Sequence, residues 1–376
     1  MFFVTNEHLK PGMVLARDIN LYADVDNNSF TLLLSKGQVL NDLFIKKIMY
    51  HNIPGAYIEN EAFNDITLND TINPKLEARA MSEIKKVFFE FKSSTGKIES
   101  SSVRQISKIV DDLIIDLLYK RELSYNIIEF KNHDAYTYQH CLNVAVLSIT
   151  TGMALGFNEH MLHDLGMAGL FHDIGKMLIP LEIINKQGKL TEDEFEIIKT
   201  HPINAVTQLE NLVSNDILRG IESHHEKLDG SGYPFGRKKD NIHIYGKILT
   251  ICDVYDALTS DRSYRKTCFP GEVIEYIMGC SDTHFDYKIL CKFLNCIVAY
   301  PLGTFVKLSN GNIAVVIKNY SENIMRPVVR IVNDNNTVGE DIDLLYNTNY
   351  MNLTITGMGY DYGNIDFNKI TKPNVQ

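Results

Sequence analysis

The chain has 376 residues, 45% of them hydrophobic, enough to bury a large core and to divide into two or three domains. A net charge of −10 and a pI near 5.7 argue against broad electrostatic binding to a nucleic-acid polymer or an anionic membrane, so a phosphate ligand would need a local basic pocket. With no apolar run near the ~20 residues of a membrane span, no signal-peptide pattern in MFFVTNEHLKPG and no metal-finger spacing among its cysteines, a cytoplasmic protein with reduced thiols is expected.

Residues 1–65 alternate short apolar runs with turn clusters at Lys10-Pro11-Gly12 and Asp26-Asn27-Asn28-Ser29, then show a helical pattern in DLFIKKIMYHNI. A small α+β domain built from hairpins, carrying no catalytic set, is expected there. From 66 to 125 the pattern turns helical. Ile84, Val87, Phe88 and Phe91, then Ile106, Ile109, Val110, Leu113 and Leu117, mark two amphipathic helices broken at SSTGKIESSS. They are expected to form a connector whose apolar face packs on the next domain, with a parallel pair joining two protomers as the alternative.

Residues 126–297 are mostly helical in pattern, and the polar residues that interrupt their apolar faces recur as His, Asp and Lys. His140 lies in YTYQHCLNVAVLSITTGMAL, a helix expected to be buried. AGLFHDIGKMLIP, from Ala168 to Pro180, reads as a buried helix carrying His172, Asp173 and Lys176. Unpaired charges buried among Leu170, Phe171, Ile174 and Leu178 cost several kcal/mol each, so these groups need a metal or an anionic ligand. A second HD dipeptide, His163-Asp164, would face the other way on a continuous helix and is assigned a structural role.

His201 ends DEFEIIKTHPINAV, a helix that Thr191 and Glu194 can start as a capping box. His224 and His225 are adjacent, and their imidazoles are expected to diverge. Asp253 and Asp256 share a helix, KILTICDVYDALTS, that is apolar nearly all round, so both carboxylates need cations. Taken jointly, these residues on successive buried helices point to metal. The loop Gly230-Ser231-Gly232-Tyr233-Pro234 follows the paired histidines, and SDRSYRK sets Arg262, Arg265 and Lys266 beyond the Asp253 helix, supplying cations suited to phosphate. After Val298 the pattern becomes strands. Asn310-Gly311 between two apolar runs is a hairpin signal, and a small barrel of the SH3 type would fit 298–376.

With these residues laid out, the region from about Asn132 to Cys296 resembles the HD-GYP family, a branch of the HD phosphohydrolases. YTYQHCLNVA, LFHDIGK, IIKTHP, HHEKLDGSGYP and CDVYDALTSDRSYRK occur in the family's order, and KPGMVLARDI and YPLGTFVKLSNG resemble appendages of such proteins. The resemblance implies a mainly α protein. Its all-helical HD-type catalytic domain (126–297) would follow a connector (66–125) and be flanked by a small N-terminal α+β domain (1–65) and a small C-terminal β-barrel-like domain (298–376).

The implied activity is a metal-dependent phosphodiesterase that hydrolyses cyclic di-GMP to pGpG or GMP with a hydroxide held between two metals. By resemblance, His140, His172, Asp173 and Asp253 would hold one ion and Asp173, His201, His224 and His225 the other. Lys176, Gly232, Tyr233, Pro234, Asp256, Arg262 and Arg265 match positions that face the substrate, and Lys176 with an arginine would neutralise charge developing on it. Imidazole and carboxylate ligands suit first-row ions such as iron or manganese. Three-metal members carry a glutamate four residues before the first histidine; Tyr136 stands there in this sequence, so two metals are expected. A catalytically silent cyclic di-GMP receptor and an HD hydrolase of another nucleotide are the alternatives.

Overall fold

The computed structural model describes residues 1–22, 30–51, 53–94, 97–120, 136–186, 188–259, 270–358 and 365–372. Strand β1 (Phe2–Thr5) opens the chain, followed by β2 (Ile19–Tyr22) and β3 (Phe30–Leu34), helix α1 (Asp42–Tyr50) and β4 (Gly55–Ile58). β1 pairs antiparallel with β4, and β2 with β3. Helix α2 (Pro74–Ser93) starts where the Asn73 side chain accepts from Lys75 N and Pro74 supplies a pre-set first-turn backbone. Helix α3 (Ser100–Tyr119) follows. Their apolar stripes, including Val87, Phe88, Ile109 and Val110, join the core of the helical region.

That region comprises α4 (Tyr136–Ala154), α5 (Glu159–Phe171), a 3-10 turn (Ile174–Leu178), the short α6 (Leu181–Ile184), α7 (Glu192–Ile198), α8 (His201–Leu209), α9 (Asn215–Ser223), α10 (Ile244–Thr259), α11 (Pro270–Gly279) and α12 (Tyr287–Leu294). Both bonds of the Thr191/Glu194 capping box are present at the start of α7. α4 and α10 are buried almost all round, so their few polar side chains stand inside the core. Cys141 and Cys252 are among the fully buried residues, and burial pushes the Cys252 thiol up to about 12, which suits a core residue. Among the described residues no helix is long and apolar enough to cross a membrane.

The chain closes with β5 (Phe305–Leu308), β6 (Ile313–Lys318), β7 (Val328–Val332), β8 (Val338–Asp343) and β9 (Ile355–Met358), an antiparallel sheet in the order β8-β7-β6-β5-β9. The Asn310-Gly311 hairpin forms between β5 and β6, with Gly311 at φ +91°. Alternate side chains of the sheet face opposite ways. Val306, Leu308, Ala314 and Val316 enter the helical core, whereas Phe305 and Val315 enter a second core built with Phe2, Val4, Leu15 and Phe63. The first and last segments, read separately from the sequence, therefore bury one common core. Arg330 on β7 clasps them together, reaching Asp65 at 2.8 and 2.9 Å, the Ala62 carbonyl at 3.0 Å and Asp341 at 2.6 and 2.9 Å.

Candidate metal centre

The α-helix expected to run through AGLFHDIGKMLIP stops at Phe171. Asp173 leaves helical geometry at φ −102°, ψ 1°, and the chain tightens into the 3-10 turn at Ile174. Gly175 shows why. A Cβ there would lie 2.0 Å from the His201 carbonyl oxygen and 2.9 Å from Ala205 N, so only glycine lets this turn press on the first turn of α8. The contact carries His201 to Asp173, with Nε2 3.4 Å from Oδ1.

Four imidazoles converge on Asp173. His140 Nε2 and His172 Nε2 each lie 3.5 Å from its Oδ2, and His224 Nε2 lies 3.9 Å from its Oδ1. Their outer nitrogens fix the tautomers. The Nδ1–H groups of His172, His201 and His224 donate to the carbonyls of Gly169, Ile198 and Ile221 at 2.8, 2.7 and 2.6 Å. A carbonyl can only accept, so the proton sits on Nδ1 and the Nε2 lone pair points inward. His140 does the same through Asp256, Nδ1 to Oδ2 at 2.8 Å.

The consequence is a cage of facing lone pairs. Nε2 of His140 and His172 are 3.3 Å apart and those of His201 and His224 are 3.2 Å apart, without a hydrogen available to bridge either pair. Asp173 Oδ1 is buried and has no hydrogen-bond partner. Such a set is unfavourable until a cation enters it, which is how the residues present fit a metal. Among the described residues, ligand atoms of Asp173, His201, His224 and His225 lie within 4.8 Å of one another, as do those of His140, His172 and Asp173, and those of His172, His224 and Asp253. Asp253 Oδ1 is 3.1 Å from His140 Nε2 and its Oδ2 is 3.6 Å from His225 Nδ1.

His224 and His225 do not diverge as expected. Their ring centroids are 4.0 Å apart at 43°, just past the end of α9 at Ser223. The Tyr233 ring lies 4.6 Å from that of His225, and Tyr233 N donates to the His225 carbonyl at 3.1 Å. Gly232 makes this approach: a Cβ there would meet Lys227 N at 2.4 Å and the His225 carbonyl oxygen at 2.5 Å. Pro234 follows, partly buried, in the same loop.

Lys176 Nζ donates to Asp173 Oδ2 at 2.7 Å with its side chain 27% exposed. Asp256 was read as facing substrate, but it is 1% exposed, with Oδ2 on His140 and Oδ1 accepting from Asn143 Nδ2 at 2.8 Å. Arg262 and Arg265 lie outside the described residues, as does the Tyr136 side chain. His163 and Asp164 lie apart from this set, His163 contacting Ser107 Oγ at 2.9 Å and Asp164 accepting from Ser214 Oγ at 2.8 Å.

Two contributors escaped the sequence reading. Glu226 is 1% exposed and accepts from Phe235 N at 2.8 Å and Arg237 N at 2.9 Å, pinning the glycine-rich loop beneath the centre. No local pattern announces a bond nine residues long. Asn143 did leave a signal, an amide three residues after His140 inside an apolar helix.

Burial depresses His172, and pushes His201 and His224 well below the ordinary histidine range; burial likewise lowers His225 to about 4. Burial alone would raise Asp173 and Asp253, but Lys176 and His172 around the first, and the His140 hydrogen bond with His225 around the second, hold both well below the usual carboxylate value. The linkage has one sign throughout. Imidazoles that are neutral when folded but protonate at about 6.5 when unfolded make the unfolded state the better proton binder. We therefore expect the metal-free protein to lose stability as pH falls from about 6.5 toward 4, with the carboxylates adding a further loss below their unfolded value of about 3.9. Thermal denaturation in chelator across this range checks it; a Tm flat from pH 7 to 4 would count against neutral buried imidazoles.

A helical core with an HD dipeptide where four imidazoles meet defines an HD domain, and residues 122–289 match the family model described as "HD domain". Residues 305–351, which carry β5 to β8 of the antiparallel sheet, match a "KOW domain associated with HD domain". The chain is similar to several curated cyclic-dinucleotide phosphodiesterases. It is 35% identical over 227 residues to the cyclic di-GMP phosphodiesterase PA4108 of Pseudomonas aeruginosa, covering 60% of this chain and 55% of that one. It is 33% identical over 201 residues to the cyclic di-GMP phosphodiesterase PdeB of Borreliella burgdorferi, covering 53% of each chain. With the 3'3'-cGAMP-specific phosphodiesterase 1 of Vibrio cholerae it shares 37% identity over 153 residues, 40% of this chain and 35% of that one. The chain thus spans about half the length, or less, of these curated relatives.

Proposed function

We propose that this protein hydrolyses cyclic di-GMP, using two divalent first-row ions, iron or manganese, held around Asp173. The observation that carries the reading is the cage itself: inward-facing Nε2 lone pairs on either side of a buried carboxylate whose Oδ1 has no partner. His140, His172, Asp173 and Asp253 would hold one ion, and Asp173, His201, His224 and His225 the other. Ions bound there supply an activated water at neutral pH and positive charge toward the phosphodiester.

The chain's own side chains do the rest. Lys176, part-exposed beside Asp173, offers an ammonium to the substrate's phosphate oxygens where charge grows during displacement. Tyr233 lies over His225 and the Gly232 turn closes that side of the centre. Burial and the nearby Asp253 and Asp173 charges raise the Tyr233 phenol, so it stays protonated and can donate a hydrogen bond. Asp256 acts on His140 rather than on substrate, as its two engaged oxygens indicate.

The names of similar proteins favour a cyclic dinucleotide and leave two candidates, cyclic di-GMP and 3'3'-cGAMP. The test is purified protein loaded anaerobically with iron or manganese, incubated with each dinucleotide, with products followed by chromatography and metal counted by elemental analysis. Linear pGpG, or GMP, and two ions per chain are expected. Faster turnover of 3'3'-cGAMP would reassign the substrate, and tight binding of cyclic di-GMP without products at full metal loading would make the protein a receptor.

A further inference from the structure

A line of buried side chains runs outward from the centre to the connector. Asp256 Oδ2 accepts from His140 Nδ1, and Asp256 Oδ1 accepts from Asn143 Nδ2, both at 2.8 Å. Asn143 Oδ1 accepts from Gln139 Nε2 at 3.0 Å, and the same Nε2 donates to Glu77 Oε1 at 3.3 Å. All five residues are at most 9% exposed. The polarity of the line is forced. A carboxylate at Asp256 only accepts, so Asn143 must turn its amide nitrogen toward it and its oxygen away, and that oxygen in turn requires the amide nitrogen of Gln139. Glu77 on α2 receives the remaining hydrogen. Every donor beyond Asp256 therefore points in a direction set by the acceptor before it.

We propose that Glu77 and Gln139 are positioning residues for His140, so that α2, a helix outside the ligand-bearing elements, sets the geometry of one of the two ions. This rests on the metal reading above. A ligand imidazole owes its tautomer and orientation to its outer hydrogen bond, and Asp256 can hold His140 only as firmly as Asn143 and Gln139 hold Asp256. The ion on the far side, among His201, His224 and His225, has backbone carbonyls as outer partners for His201 and His224 and does not touch this line.

The two ions should therefore respond differently. In full-length protein loaded with manganese and titrated with a chelator, Glu77→Ala and Gln139→Ala are expected to make one metal equivalent about tenfold easier to remove and to leave the other unchanged. Glu77→Gln keeps an oxygen acceptor and should restore the unmodified curve. Combining Glu77→Ala with Asn143→Ala should cost little more than Asn143→Ala alone, because both cut one line. Phe91→Leu, in the α2 core but off the line, controls for simple loosening of the helix: it should lower Tm without separating the two equivalents. Two equivalents that shift together, an unmoved curve, or the same split in Phe91→Leu would overturn the proposal. An unmodified chain that retains no metal would overturn the metal reading, and this one with it.

Discussion

On the proposed function, Asp173→Ala is expected to lower hydrolysis of cyclic di-GMP by at least about a thousandfold, ~4 kcal/mol of transition-state stabilisation, and to strip the metal as well. Its carboxylate is the one group common to both sets of converging imidazoles: His140 and His172 approach Oδ2, and His201 and His224 approach Oδ1. Removing it leaves the Nε2 lone pairs of His201 and His224 without their carboxylate and His140 and His172 with only Asp253 beside them, so ions held there would lose the ligand common to both sets. Asp173→Asn is the sharper variant, since it preserves shape and removes the charge; it is expected to fail nearly as completely. Elemental analysis beside kcat/KM separates loss of metal from loss of chemistry. Near-unmodified turnover with two ions still bound would show that the centre is organised around another group.

The second large effect is expected from Gly175→Ala, a change of one methyl at a residue that holds no ligand. That methyl would land 2.0 Å from the His201 carbonyl oxygen and 2.9 Å from Ala205 N, both backbone atoms of α8 that no rotamer change can clear. The 3-10 turn and α8 must separate, at a cost of about 3 kcal/mol by the scale of overpacked cores. His201 rides on the first residue of that helix. The variant should therefore lose the ion shared by His201, His224 and His225 before the ion at His140, with a lowered Tm. Thermal denaturation together with metal counting checks this; an unchanged Tm with both ions retained would mean that α8 accommodates the methyl.

Much of the centre was legible because its ligands violate the pattern around them. Histidines and aspartates in otherwise apolar helices, as at His140 and Asp253, have no cheap explanation in a core, and that argument needs only local sequence. The capping box at Thr191 and the hairpin at Asn310-Gly311 are local too, and both formed. What stayed hidden depends on contacts between distant residues. The helix through His172 ends early because Gly175 meets α8, and nothing within the segment encodes that meeting. Asp256 and Asp253 look alike in sequence, three apart on one buried helix, yet Asp256 turns toward Asn143 on α4 and Asp253 toward His225. The shared core of the two chain ends was equally out of reach, since Phe2 packs edge-on against Phe305 across three hundred residues of chain.

That shared core has a mechanical meaning. The N-terminal unit is joined to the helical domain covalently through α2 and α3, and again, without covalent linkage, through the terminal sheet whose one face lies on the helices and whose other face lies on Phe2 and Phe63. A load applied to the N-terminal unit thus meets a frame with two mounting points, not a hinge with one. Severing the Arg330 clasp to Asp65 would remove a polar strap and leave the apolar mounting in place.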